Sequence, residues 1–192
     1  PEAMNPRSEC YMLLARIYML GLDVPKDPVE AMHWIRKADD WGYIPATHLV
    51  GRAYRVGYGV PKDIKKAVSY FKRAADVGYA PSQYALGEIY YYGDEGIPQD
   101  KTMAGAALLA AAKNGHPDAL YAVGRMYELG EGGTKVDSAK ALIYYKEAAV
   151  KGQMDAQNAI GVAPPASSVD RTSALGDEHV AIGTVIVGLV AG

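Results

Sequence analysis

Cysteine is almost absent from this 192-residue chain, and Cys10 is the single example. One thiol closes no intrachain disulfide and offers no metal-site spacing. No base can be assigned to it, so a nucleophilic role is unsupported, and the expectation is a buried or capping thiol near the start of the first helix. Charge of one sign is also lacking. Twenty Lys+Arg against 22 Asp+Glu leave a formal net charge of -2. Such a balance gives no global field for a phosphate backbone, and no nucleic-acid partner is expected. Long hydrophobic runs are missing as well. The apolar segment 180–192 has 13 residues, short of the ~20 that span a bilayer. No secretory signal is legible, which leaves export open.

Catalytic and metal-binding patterns are equally scarce. The histidines His33, His48, His116 and His179 form no i,i+3 or i,i+4 pair and no H-E-x-x-H motif. They read as ordinary polar or partly packed side chains. The glycine loops Gly57-Tyr58-Gly59 and Gly130-Glu131-Gly132-Gly133 lack a following Gly-Lys-Ser/Thr, so they read as turns rather than phosphate cradles. Glu88 and Glu128 could share a groove as an acid/base pair, yet solvated glutamates of any protein would look the same. The expectation is a non-catalytic chain with no cofactor and no metal.

What the chain does have is a repeat. Leu14-Ala15-Arg16-Ile17-Tyr18 returns as Val50-Gly51-Arg52-Ala53-Tyr54, then Leu86-Gly87-Glu88-Ile89-Tyr90, then Val123-Gly124-Arg125-Met126-Tyr127, at intervals of 36, 36 and 37 residues. A second register follows: Asp27, Asp63, Asp100 and Asp137. Alanine stands four and eleven residues after each aspartate, and glycine fifteen after, at Gly42, Gly78, Gly115 and Gly152. A period near 36 marks helical solenoids.

Each unit divides into two helices. The first carries an i,i+4 apolar pair such as Val50 and Tyr54, beside a glycine that lets a neighbouring helix approach. The Gly57–Pro61 segment turns the chain. Asp63 is placed to cap the second helix, whose inner stripe is Ala67, Phe71 and Ala74. Small alanines allow two helices to pack near 8 Å. Expected helices cover 8–20, 28–41, 45–56, 64–77, 81–92, 101–114, 118–129 and 138–151. A lone hairpin leaves an apolar face bare, so stacking of units supplies the stability.

These residues resemble the Sel1-like repeat, a relative of the tetratricopeptide repeat with a longer loop between its helices. Unit two carries the resemblance most fully, through Gly51, Tyr54, Gly57, Gly59, Val60, Asp63, Lys66, Ala67, Tyr70, Arg73, Ala74, Ala75 and Gly78. It extends over roughly residues 8 to 161. Ala15, Met103 and Ala107 depart from the pattern. The resemblance implies an all-α, right-handed α/α solenoid over 1–161, with four complete units and the start of a fifth. It also implies an adaptor or scaffold that binds a protein or peptide. A periplasmic or secreted bacterial location is favoured by that kinship, with a cytoplasmic one open. Two further roles stand beside the adaptor: an inhibitor or immunity-type partner of a secreted protein, and an envelope structural protein.

In related tetratricopeptide solenoids the first helix of each pair lines the concave groove. Transferring that geometry places Met12, Arg16, Met19 and Leu20 inward, then His48, Arg52, Arg55 and Val56, then Tyr84, Glu88, Tyr91 and Tyr92, then Tyr121, Arg125, Glu128 and Leu129. The binding set drawn from these positions is Arg16, His48, Arg52, Arg55, Tyr84, Glu88, Tyr91, Tyr121, Arg125 and Glu128. Tyrosine and arginine are enriched at interface hot spots. The chain holds 15 tyrosines and one phenylalanine, and a purely core-filling role would favour the ring without a hydroxyl. Two bland readings remain open: Tyr18, Tyr54, Tyr90 and Tyr127 as framework, and Arg16, Arg52 and Arg125 as simple partners of glutamates such as Glu88. Pro164-Pro165 ends the fifth unit. Residues 162–192 read as a linker and an apolar tail. That tail has three readings: a cap on the last repeat, a segment docking into a neighbouring molecule and so linking an oligomer, or a membrane-associating piece.

Overall fold

Each repeat folds as two antiparallel helices because its sequence carries start and stop signals at fixed intervals. The computed structural model describes residues 6–161. The tail, 162–192, lies outside the described residues. The helices are α1 Pro6–Leu20, α2 Pro28–Asp40, α3 Ile44–Val56, α4 Ile64–Asp76, α5 Ala80–Tyr92, α6 Lys101–Lys113, α7 Pro117–Leu129, α8 Ser138–Val150 and α9 Met154–Ala159. All eight expected helices are present, with every end within two residues of its expected place. No strand occurs among the described residues; Asp94 and Ile97 form one isolated antiparallel bridge.

The starts have a common chemistry. Asp27, Asp63, Asp100 and Asp137 each sit at an N-cap with extended backbone and accept N–H bonds from the first turn, Asp63 from Lys66 at 2.9 Å. Pro45, Pro81 and Pro117 open α3, α5 and α7, where their missing N–H costs nothing. Gly57 and Gly130 end α3 and α7 in the left-handed region, at φ 79° and 69°.

Within a unit, the glycine of the first helix receives the large side chain of the second. A Cβ on Gly51 would lie 2.8 Å from the Phe71 ring, one on Gly87 2.7 Å from Leu108, and one on Gly124 2.6 Å from the Tyr145 ring. Unit one has Ala15 at this position and the non-aromatic Ile35 opposite, both buried in one cluster. Between units, the loop of one repeat seats on the second helix of the repeat before it. Gly59 meets Pro28 and Met32, and Gly132 meets Gly105. Met32, Val68 and Gly105 are therefore buried, whereas Leu142, at the same register of the last complete unit, is 44% exposed. Consecutive helices share the extensive contacts all along the stack.

Cys10 departs from expectation and is exposed. The buried stripe of α1 runs through Ser8, Ala15 and Met19. Cys10 lies two residues, about 200°, round from Ser8 and so faces away from it.

Candidate functional site

The first helices of units three and four, α5 and α7, wall a cavity of about 320 Å³. Four tyrosines line it: Tyr84, Tyr91 and Tyr92 from α5 and Tyr121 from α7. Glu88 and Arg125 project from the facing helices, and Leu108, Ala122 and Met126 are its apolar lining. Gln153 and Asp155, at the start of α9, also border it.

Its phenols are tied to carboxylates. The Tyr91 hydroxyl donates to Glu131 at 2.7 Å, and Lys101 reaches the other oxygen of that carboxylate at 2.8 Å. These two hydrogen bonds, the lysine's first, hold the Glu131 carboxyl below its ordinary value. Burial, followed by the Glu88 and Asp118 carboxylates, pushes the Tyr84 phenol far up. Its ring stacks on His116 at 4.5 Å. Burial also raises Tyr121, with Asp155 adding to the shift and Arg125 opposing it.

The candidate residues divide by position. Tyr84, Glu88, Tyr91, Tyr121 and Arg125 come together in the cavity. Arg55 stands beside it, bridging Glu88 at 3.3 Å and Asp94 at 3.6 Å. Glu128 accepts from the Tyr145 hydroxyl at 2.7 Å instead of lining the cavity. Arg52 borders a small hollow of about 30 Å³ with Leu49, Val56 and Tyr58. Arg16 is half-buried on α1 and lines neither space. The framework tyrosines stack in pairs, Tyr54 on Tyr70 and Tyr127 on Tyr144, each at 5.7 Å.

His48, assigned to the groove by its register, is buried between units instead. It is 6% exposed. Its ring lies 5.4 Å from Phe71 and 5.6 Å from Tyr79, and Nδ1 pairs with the buried Ser82 Oγ at 2.9 Å. Its counterparts in register, Tyr84 and Tyr121, reach the cavity. Burial, then the charges of Arg52 and His116, lowers the His48 imidazole from 6.5 to about 3. The folded chain therefore refuses a proton that the unfolded chain accepts. Stability from this site is complete above the unfolded value and falls as pH drops through the window between 6.5 and about 3. Going from pH 7 to pH 5 is expected to cost about 2 kcal/mol from His48 alone. Urea unfolding of the parent and of His48→Gln at both pH values checks this, and the variant should lose most of that difference.

Sequence reasoning missed Asp118, Glu131, Gln153 and Asp155 as lining residues. Glu131 lies in a loop, and the others stand at the first turns of α7 and α9, outside the four groove positions assigned to each unit.

Paired helices in a 36-to-37-residue repeat, with the loops of units two and four seated on the second helix of the unit before, define an α/α repeat solenoid. The Sel1 repeat model matches residues 8–38, 44–79, 80–116 and 117–152, and the chain belongs to the Sel1 repeat family. This fold generally serves protein–protein interaction. A protective antigen of uropathogenic Escherichia coli, described as displaying an SLR fold, is 32% identical with a TM-score of 0.74, over 80% of this chain and 32% of that one. A Sel1 repeat protein from Oxalobacter formigenes is also 32% identical, with a TM-score of 0.70, over 80% of this chain and 44% of that one. The chain thus spans less than half the length of either protein. Helicobacter pylori cysteine rich protein B shares the fold, at 19% identity and a TM-score of 0.53 over 65% of this chain and 93% of that one. No curated protein matches the chain. Among the described residues no group of His, Cys, Asp or Glu is arranged to hold a metal ion, and no helix is long and apolar enough to cross a membrane.

Proposed function

We propose that this chain is an adaptor that binds a protein or peptide through the face formed by α3, α5 and α7. The observation that carries this reading is the tyrosine-rich cavity between α5 and α7, which gathers Tyr84, Glu88, Tyr91, Tyr121 and Arg125 in one place. Tyrosine gives broad contact area at low entropic cost, and arginine gives a fixed donor fork. Tyr92 on the same wall is 67% exposed, and Val56 and Leu129 at its register are 46% and 50% exposed. They continue an apolar strip along the face that suits an extended partner. A periplasmic or secreted location belongs to this reading, supported by the description of one matched protein as a protective antigen.

Substituting Arg52→Glu together with Tyr91→Ala is expected to weaken partner binding by about tenfold or more, equivalent to about 1.4 kcal/mol. Circular dichroism should show unchanged helix content. The partner is first captured from extract of the native cell, and its affinity is then measured by titration calorimetry. Unchanged affinity in the double variant would move the site to the convex face, the loops or the tail.

A further inference from the structure

Four carboxylates line the α5–α7 cavity: Glu88, Asp118, Glu131 and Asp155. Aligned on the repeat glycines, Glu88 stands where the other units carry Arg16, Arg52 and Arg125. Asp118 and Asp155 stand where unit one carries Glu9 and units two and three carry Pro45 and Pro81. Glu131 stands where unit two carries Tyr58 and unit three Asp94. Of the complete units only the third carries a carboxylate at the Glu88 register, and all four of these carboxylates line the same cavity. Arg125 is the one cation among its lining residues.

Two of these carboxylates already have cations. Arg55 takes Glu88 at 3.3 Å, and Lys101 takes Glu131 at 2.8 Å. Among the described residues, Asp118 has the His116 imidazole at 4.0 Å, and Asp155 has the Gln153 amide at 3.4 Å. Neither has a lysine or arginine partner. The rings of Tyr84 and Tyr121 and the apolar side chains of Ala122 and Met126 line the same cavity. Aromatic faces attract cations, and a long basic side chain combines an apolar stem with a charged head.

We infer that this cavity receives an arginine or lysine side chain of the partner polypeptide, with its stem against the tyrosine rings and its charge at Asp118 and Asp155. The inference rests on the reading that this face binds a polypeptide, and it adds the chemistry of the residue recognised. A space of about 320 Å³ is at the small end of ligand sites, enough for one large side chain. The guanidinium of Arg125 is the opposing charge, and it makes an acidic side chain the competing occupant.

The probes are four pentapeptides, acetyl-Ala-Ala-Xaa-Ala-Ala-amide, with Xaa as arginine, lysine, norleucine or glutamate. Each is titrated into the full chain and followed by NMR. The arginine and lysine peptides are expected to bind about tenfold or more tighter than the norleucine peptide. They should shift the ring signals of Tyr84 and Tyr121, and their affinity should fall as salt rises. Asp118→Asn with Asp155→Asn should bring them to the norleucine level at unchanged helix content. Preference for glutamate, equal affinity for norleucine, shifts elsewhere on the chain, or no binding by any peptide would each overturn the inference. Arg52 lies outside the cavity. Loss of partner binding in Arg52→Glu, beside a negative peptide result, would keep the adaptor reading and remove the basic-side-chain one. Partner binding unmoved by both Arg52→Glu and Tyr91→Ala would remove the adaptor face itself.

Discussion

Phe71→Ala is expected to destabilise the chain by about 3–5 kcal/mol, the range for truncating a fully buried aromatic side chain. Phe71 has no exposed surface. Its ring packs against Gly51, touches the His48 ring and belongs to a cluster that takes in Val68, Leu86 and Ile89. Its loss therefore empties a contact inside unit two and weakens the interface with unit three. In a solenoid such damage stays near its source, because each unit touches mainly its neighbours. Urea unfolding should show the lower stability. Hydrogen exchange should show α3 to α5 losing protection ahead of α7 and α8. Gly51→Ala, harmful beside the phenylalanine ring, should be far milder in the Phe71→Ala background, since the ring it would strike is gone. A loss below about 1 kcal/mol would mean the neighbours collapse to fill the space.

Gly59→Ala is expected to cost about 2–5 kcal/mol, from two separable sources. The backbone at Gly59 has φ 63°, where an L side chain is disfavoured by about 1–2 kcal/mol. The new Cβ would also run into the Pro28 carbonyl, which belongs to the backbone at the start of α2 and cannot swing aside. Forced displacement of this kind adds about 1–3 kcal/mol. Gly42→Ala is the control. Gly42 has φ 78° but nothing within 4 Å of the added Cβ, so it carries the conformational part alone. The difference between the two variants in urea unfolding measures how firmly the unit-two loop seats on unit one. Equal losses would mean that the loop does not press on α2.

Much of the fold was legible in the sequence because the repeat states the same instructions four times. Aspartate caps, inner alanines and terminal glycines recur at fixed spacing, so helix ends were set by local chemistry. The site was less legible. Register on the first helices groups Tyr84, Glu88, Tyr91, Tyr121 and Arg125, and these five line one cavity. His48 shares the register of Tyr84 and Tyr121 yet is buried, because Ser82 and Tyr79 of the next unit close over it. No pattern within unit two contains that information.

The sequence by itself determined the period, the helix pairs, the caps and the places where small residues must face large ones, since these depend on neighbours close along the chain. Only the tertiary structure decided which side chains share a cavity and which carboxylates are matched. Glu88 meets Arg55 across 33 positions, and Tyr91 meets Glu131 across 40. Those pairings depend on how one unit is set against the next. That setting is a sum of many weak packing contacts, which register alone does not reveal.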